Sequence, residues 1–196
     1  MSDLADILRS GRPRKGSFLS RMFGIFNEEI IRIWARDPRS AYNIHAKRPT
    51  LYGPSGRYTL DFLFESHGEL FVSEMKCEIQ YQGYRYWRLE DSSQLAHHVK
   101  PAFQLFLQSA KDPLSLSLAV RAGESVTVNG AILVWGAATD MGIRTVKEEF
   151  GFHDVLTIES CVNELAAWEN DEYKAFLNEL EQWSSELFDA LRNGFA

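Results

Sequence analysis

What the chain lacks narrows it first. Two cysteines in 196 residues, Cys77 and Cys161, make neither a disulfide framework nor a metal pair by spacing, as expected of a reducing compartment. The five histidines have no metal-ligand spacing, which argues against zinc. No stretch approaches the ~20 apolar residues of a membrane span. The opening MSDLADILRSGRPRKG has acids where a secretory leader needs a basic start and has no apolar core, so the expected location is cytoplasmic, with no membrane partner. No G-x-S-x-G elbow, G-x-G-x-x-G turn or G-x-x-x-x-G-K-S/T loop occurs. Acyl transfer, dinucleotide binding and P-loop phosphate binding therefore lack support. There is no internal repeat and no low-complexity tract.

Excess positive charge is missing as well: the net charge is -6 and the pI about 5.4. The distribution is uneven, however. Eleven Lys and Arg stand against five acids in the first sixty residues, while a dozen acids lie between Glu148 and Asp189. Phosphate binding follows local field rather than whole-chain charge, so nucleic acid stays admissible. The acidic half reads as solvated helix faces.

What is present centres on Tyr58–Lys76, YTLDFLFESHGELFVSEMK. Two β-rich runs, Tyr58 to Phe64 and Leu70 to Lys76, flank a short polar gap with a late glycine, a hairpin signal. Pairing symmetric about His67 and Gly68 sets Glu65 against Leu70, Leu63 against Val72, Asp61 against Glu74 and Thr59 against Lys76. Asp61 and Glu74 then lie roughly 4.5–5.5 Å apart at Cβ, where like charges repel unless something positive joins them. A hard divalent cation with oxygen ligands would do so, and Lys76 falls on the same face. Cys77, next along, should face the other way. A salt-bridged strand pair is the structural alternative and leaves one carboxylate in excess.

An Asp on one strand followed by Glu74-Met75-Lys76 on the next resembles the PD-(D/E)xK nuclease superfamily, with Leu60 in place of the motif's proline. The resemblance implies an α/β, restriction-endonuclease-like αβββαβ core: a mixed central sheet flanked by helices, here followed by C-terminal helices. It implies Mg²⁺ or Mn²⁺ held by Asp61, Glu74 and the Met75 carbonyl, with an acid from the preceding helix. Glu29, in that helix's apolar stripe, matches this role better than Glu28; the alternative is a surface pair with Arg32 or Arg36. Asp61, Glu74, Lys76 and Glu29 are thus the candidate catalytic residues, Lys76 orienting the attacking water. In some families of the fold a glutamine follows, and Gln80, Gln82 and Gln94 all qualify.

Around the hairpin, a helix is expected from an N-cap at Ser17 to Arg36, then a loop from Ala41 into a short strand at Thr50–Tyr52. Residues 77–88 are dense in aromatics, amides and arginines. With the basic arm they make Arg12, Arg14, Lys15, Gln80, Tyr84, Arg85 and Arg88 the candidate nucleic-acid contacts. A helix over 93–110, capped by Asp91 or Ser92, should bend or split at Pro101. His97 and His98 decorate it; at most one of them reaches the site, as a proton shuttle or substrate contact, and surface residence is expected for both. A connector (111–123), an interior strand (Ala131–Trp135), a helix (Gly142–Phe150), a strand (Val155–Ile158) and two acidic helices complete the chain. The organisation is a basic arm (1–16), a nuclease-like core (17–158) and a helical extension of the same domain (159–196).

Two functions fit: a metal-dependent nuclease acting on DNA in restriction, phage defence or repair, or an inactive nuclease-fold protein that binds or assembles. In the second case the acidic C-terminal helices would dock a protein partner; in the first, Trp183, Phe188 and Phe195 would supply the interface through which a duplex-cutting nuclease pairs as a homodimer.

Overall fold

The structure, a computed structural model, describes residues 14–53, 56–80, 85–115, 117–121 and 124–193. It is a mixed α/β protein. The first helix among the described residues, α1 (Arg14–Arg36), already runs through Ser17, so Ser17 is no N-cap. Strand β1 (Asn43–Lys47) occupies what reads as loop, because its alternating exposed and half-buried residues supply an edge to the main sheet. Next come β2 (Thr50–Gly53), β3 (Gly56–Thr59), β4 (Phe62–Ser66) and β5 (Glu69–Lys76).

β4 and β5 pair as Phe62–Ser73, Leu63–Val72 and Glu65–Leu70, the expected register. The turn explains it: His67 and Gly68 have φ of 52° and 81°, the two positive values of a twist-matched two-residue hairpin. The upstream run is not one strand. Gly56–Thr59 pairs with β2 in a second sheet, so Thr59 faces Thr50 rather than Lys76. Leu60 and Asp61 form the bend between sheets, the Leu60 N–H donating to the Pro49 carbonyl and the Asp61 N–H to that of Ser73.

Short strands β6 (Ile79–Gln80), β7 (Arg85–Tyr86) and β8 (Arg88–Leu89) lead to a 3₁₀ turn, Ser92–His97, capped by Asp91 in a box closed by Gln94. Helix α2 (Pro101–Lys111) begins at the proline, which splits the long helix because Pro has no N–H to donate and suits a first turn. The connector carries β9 (Ser117–Arg121), which with β10 (Glu124–Val126) completes the second sheet in the order β10-β9-β2-β3. Pairing with β2 makes it a strand, a long-range choice that local composition does not register. Then follow β11 (Gly130–Trp135), β12 (Ala137–Ala138), α3 (Asp140–Phe150), β13 (Asp154–Thr157), α4 (Ile158–Ala167) and α5 (Asp171–Asn193).

The main sheet is ordered β1-β4-β5-β11-β13, antiparallel through β5 and parallel beyond. All six residues of β11 are buried, as a strand with helices on both faces requires. Alternation divides the core. Phe62, Phe64, Phe71, Ile132 and Val134 meet α1 and α4 on one face; Leu63, Val72, Leu133 and Trp135 meet α2 and α3 on the other. Helix α4 buries Ile158, Cys161 and Leu165, so it belongs to the core, whereas α5 buries none of its side chains. No helix among the described residues is long and apolar enough to cross a membrane.

Candidate active site

Glu74 and Lys76 leave β5 on the α2 face, level with Leu133 and Trp135 of β11. Because β4 starts only at Phe62, Met75 has no β4 residue paired with it, and its N–H donates instead to Asp61 Oδ2 at 2.7 Å. The bend thereby brings Asp61 onto the end of β5. Lys76 Nζ donates to Glu74 Oε1 and lies 3.2 Å from the Met75 carbonyl oxygen, with the Phe103 ring 5.3 Å away. Asp61, Glu74, Met75 and Lys76 are thus gathered at one point.

Glu74 is only 9% exposed, and its Oε2 is buried without a hydrogen-bond partner. An orphan carboxylate oxygen in that setting costs on the order of 1–3 kcal/mol. Burial pushes the Glu74 carboxyl above its ordinary range, the Asp61 charge adds to this, and Lys76 opposes it. Asp61 is also raised by burial, against the Met75 N–H, Lys76 and Arg48. The donor set is hard oxygen with one atom unsatisfied, which fits the divalent cation that the nuclease resemblance implies.

The third acid does not join. Glu29 pairs with Arg32 at 2.5 Å, one turn along α1, and Glu28 approaches Arg48 at 3.7 Å. Among the described residues no group of three or more His, Cys, Asp or Glu side chains is arranged to hold a metal. Helical spacing placed Glu29 near the apolar stripe, but a side chain at its margin with a cation one turn away takes the local partner. Cys77 is also no nucleophile: burial drives its thiol upward, so it stays protonated.

The site opens into a cavity of about 820 Å³ between β5, α1 and the start of α2, lined by Gly24, Glu74, Lys76, His98, Lys100 and Phe103. His98 is the functional candidate that sequence reading set on the surface. Its ring is tilted on Phe103 at 5.0 Å and edge-on to Trp135 at 5.7 Å. The chain break before Pro101 places His98 between the 92–97 segment and α2, with its ring against Trp135. Burial, then Lys76, pull its pKa down from 6.5 to about 4. A base whose folded pKa is depressed supports folding fully above its unfolded pKa and loses that support as pH falls toward the folded one. Wild type should therefore lose stability relative to His98→Gln as pH falls from 6.5 toward 4. Urea midpoints of the two proteins across that window check this; parallel profiles would refute it.

The expected nucleic-acid contacts divide. Arg12 and Tyr84 lie outside the described residues, as do the side chains of Arg14, Lys15 and Gln80. Arg88 is engaged by Glu159 at 3.2 Å and by the Ala138 carbonyl. With Arg85 and Trp87 it lines a second cavity of about 820 Å³, against α4. Gln94 is buried in its capping box rather than at the site, its amide oxygen accepting from the Glu90 and Asp91 N–H groups.

No family model, curated protein or solved structure matches this chain.

Proposed function

We propose that this protein is a divalent-metal-dependent phosphodiesterase, a nuclease of the PD-(D/E)xK type acting on DNA. The observation that carries the reading is the orphaned Glu74 oxygen beside Asp61 in the wall of an open cavity, with Lys76 at the same point. The order of elements supports it independently. Helix α1, antiparallel β1, β4 and β5, helix α2 and then β11 parallel to β5 follow in the order that the resemblance implies, with the second sheet, the short strands β6–β8 and β12, and the elements from α3 onward besides.

Asp61, Glu74 and the Met75 carbonyl would hold Mg²⁺ or Mn²⁺, which when bound supplies a low-pKa water and positive charge at the phosphate. The chain's own residues do the rest. Lys76, held on Glu74 and the Met75 carbonyl, orients the nucleophile and offsets charge developing on the phosphoryl oxygens, a role suited to a compact ammonium. Phe103 and Trp135 form an apolar wall that strengthens those interactions by excluding water.

Calorimetric titration with Mn²⁺ tests the centre. Wild type should bind and Glu74→Gln should lose at least tenfold in affinity. On supercoiled plasmid and single-stranded DNA, Lys76→Met should cut slower by two or more orders of magnitude while still binding metal. A wild type that binds neither Mn²⁺ nor Mg²⁺, with or without DNA, would leave the fold as a binding scaffold.

A further inference from the structure

The turn between β1 and β2 carries a feature that the nuclease reading does not use. Arg48 has φ of 52°, a left-handed conformation that an arginine seldom adopts. Two backbone hydrogen bonds hold it there: the Arg48 N–H donates to the Asp61 carbonyl at 3.1 Å, and the Leu60 N–H to the Pro49 carbonyl at 3.0 Å. The turn is therefore clamped to the bend that presents Asp61. Its side chain is 73% exposed, and the Glu28 carboxylate is 3.7 Å away, beyond hydrogen-bonding distance. Strained backbone of this kind persists where surrounding structure over-determines it, and such places cluster at ligand clamps.

The second cation near the carboxylates is Lys100. It is the residue before Pro101 at the mouth of α2, exposed, lining the same cavity as Glu74, and without an ion pair among the described residues. Arg48 thus stands by Asp61, close enough for its charge to act on that carboxyl, and Lys100 by Glu74 in the same way. Among the described residues neither cation donates a hydrogen bond to a carboxylate: Arg48 has only Glu28 at 3.7 Å, and Lys100 has no ion pair.

Resting on the reading above, we infer that Arg48 and Lys100 are the phosphate-binding residues of this site, gripping the DNA backbone beside the scissile linkage. Arg48 offers a fork of donors to a phosphate by Asp61, and Lys100 a point charge by Glu74. Glu28 loosely shields Arg48 and yields it to a phosphate. The acidic overall charge is no obstacle, because the field that matters is set within a few ångströms of the cavity mouth.

The test is fluorescence anisotropy with a labelled 20-base DNA strand and its duplex, in EDTA so that no hydrolysis runs, over a range of salt. Arg48→Gly and Lys100→Ala should each weaken binding about tenfold at 0.1 M salt and each reduce the slope of log K against log salt by about one. Glu28→Gln should tighten binding two- to threefold. Glycine accepts the positive φ, so Arg48→Gly should melt at or above the wild-type temperature, which separates lost binding from lost fold. Should the glycine variant fail to fold, Arg48→Gln is expected to show the same loss of affinity. Wild-type affinity in either charge-removing variant, or no DNA binding by the wild type, overturns the assignment. Mn²⁺ titration of the same proteins tells the two failures apart: a wild type that binds metal keeps the catalytic reading alive even when Arg48 and Lys100 prove idle.

Discussion

Asp61→Asn should melt above the wild type at pH 7 while losing its divalent cation. Two carboxylates share one buried corner, each raised by burial and Glu74 raised further by Asp61, so at neutral pH the native state carries charge it would rather shed. Asparagine keeps an oxygen for the Met75 N–H and removes one negative charge, and Lys76 remains on Glu74. The gain should be on the order of 1–3 kcal/mol, which for a chain of this length raises the melting temperature by a few degrees. The sign follows from linkage. Carboxyls whose folded pKa is raised favour folding at low pH and weaken it once pH exceeds their unfolded values. The advantage of the variant should therefore shrink as pH falls through the raised folded values and be gone below the ordinary carboxylate values of 3.8 and 4.5. Melting curves at pH 7 and pH 3.5, each with and without Mn²⁺, settle the matter. Saturating Mn²⁺ should raise the wild-type midpoint and leave Asp61→Asn unmoved. A variant less stable than wild type at pH 7 would mean that Lys76 already neutralises the pair, and the case for a missing cation would fall with it.

Gly142→Ala should be among the most damaging single-methyl additions in the protein, although helix propensity favours alanine by about 1 kcal/mol. Gly142 sits in the first turn of α3, where its N–H donates to Thr139 Oγ1. A Cβ there would come within 2.2 Å of the Leu89 carbonyl oxygen and 2.7 Å of its carbon. That carbonyl cannot retreat freely, since it accepts from both the N–H and the hydroxyl of Thr139. The helix and the β8 segment must separate instead, opening the buried contacts of Leu89 and Val146. Overpacking against fixed backbone costs on the order of 3 kcal/mol, enough to shift a urea midpoint by about 1 M or more. A variant as stable as wild type would show that α3 slides on β8 at little cost.

Much of this architecture is legible from residue order because it rests on local chemistry. The His67-Gly68 turn sets the β4–β5 register, six consecutive apolar-compatible residues make β11 a buried central strand, and Asp91 and Pro101 mark a cap and a helix start whatever surrounds them. Alternation along β5 placed Glu74 and Lys76 on one face, and that follows from the period of any strand. The convergence of Asp61 with that pair was right in outcome but not in route. A straight strand was expected, whereas Asp61 reaches β5 from a bend. The bend exists because the chain changes sheets between Thr59 and Phe62, so the Leu60 N–H donates to Pro49 in the β1–β2 turn and the Asp61 N–H to Ser73 within β5.

Tertiary structure alone decided what depends on partners distant in sequence. β9 is a strand because β2 lies beside it, and Glu29 stays with Arg32 because an i,i+3 cation outcompetes a site across the cavity. His98 lies against Trp135 at the break before Pro101, and Arg48 is held at φ of 52° by hydrogen bonds to the chain around Leu60 and Asp61. Sequence by itself determined the strands' periods, the turns and the identity of the Asp, Glu and Lys, since backbone sterics and side-chain alternation act within a few residues. Which acids and cations share one corner was settled only in the folded chain. That outcome depends on satisfying buried hydrogen-bonding groups across segments that the sequence holds far apart.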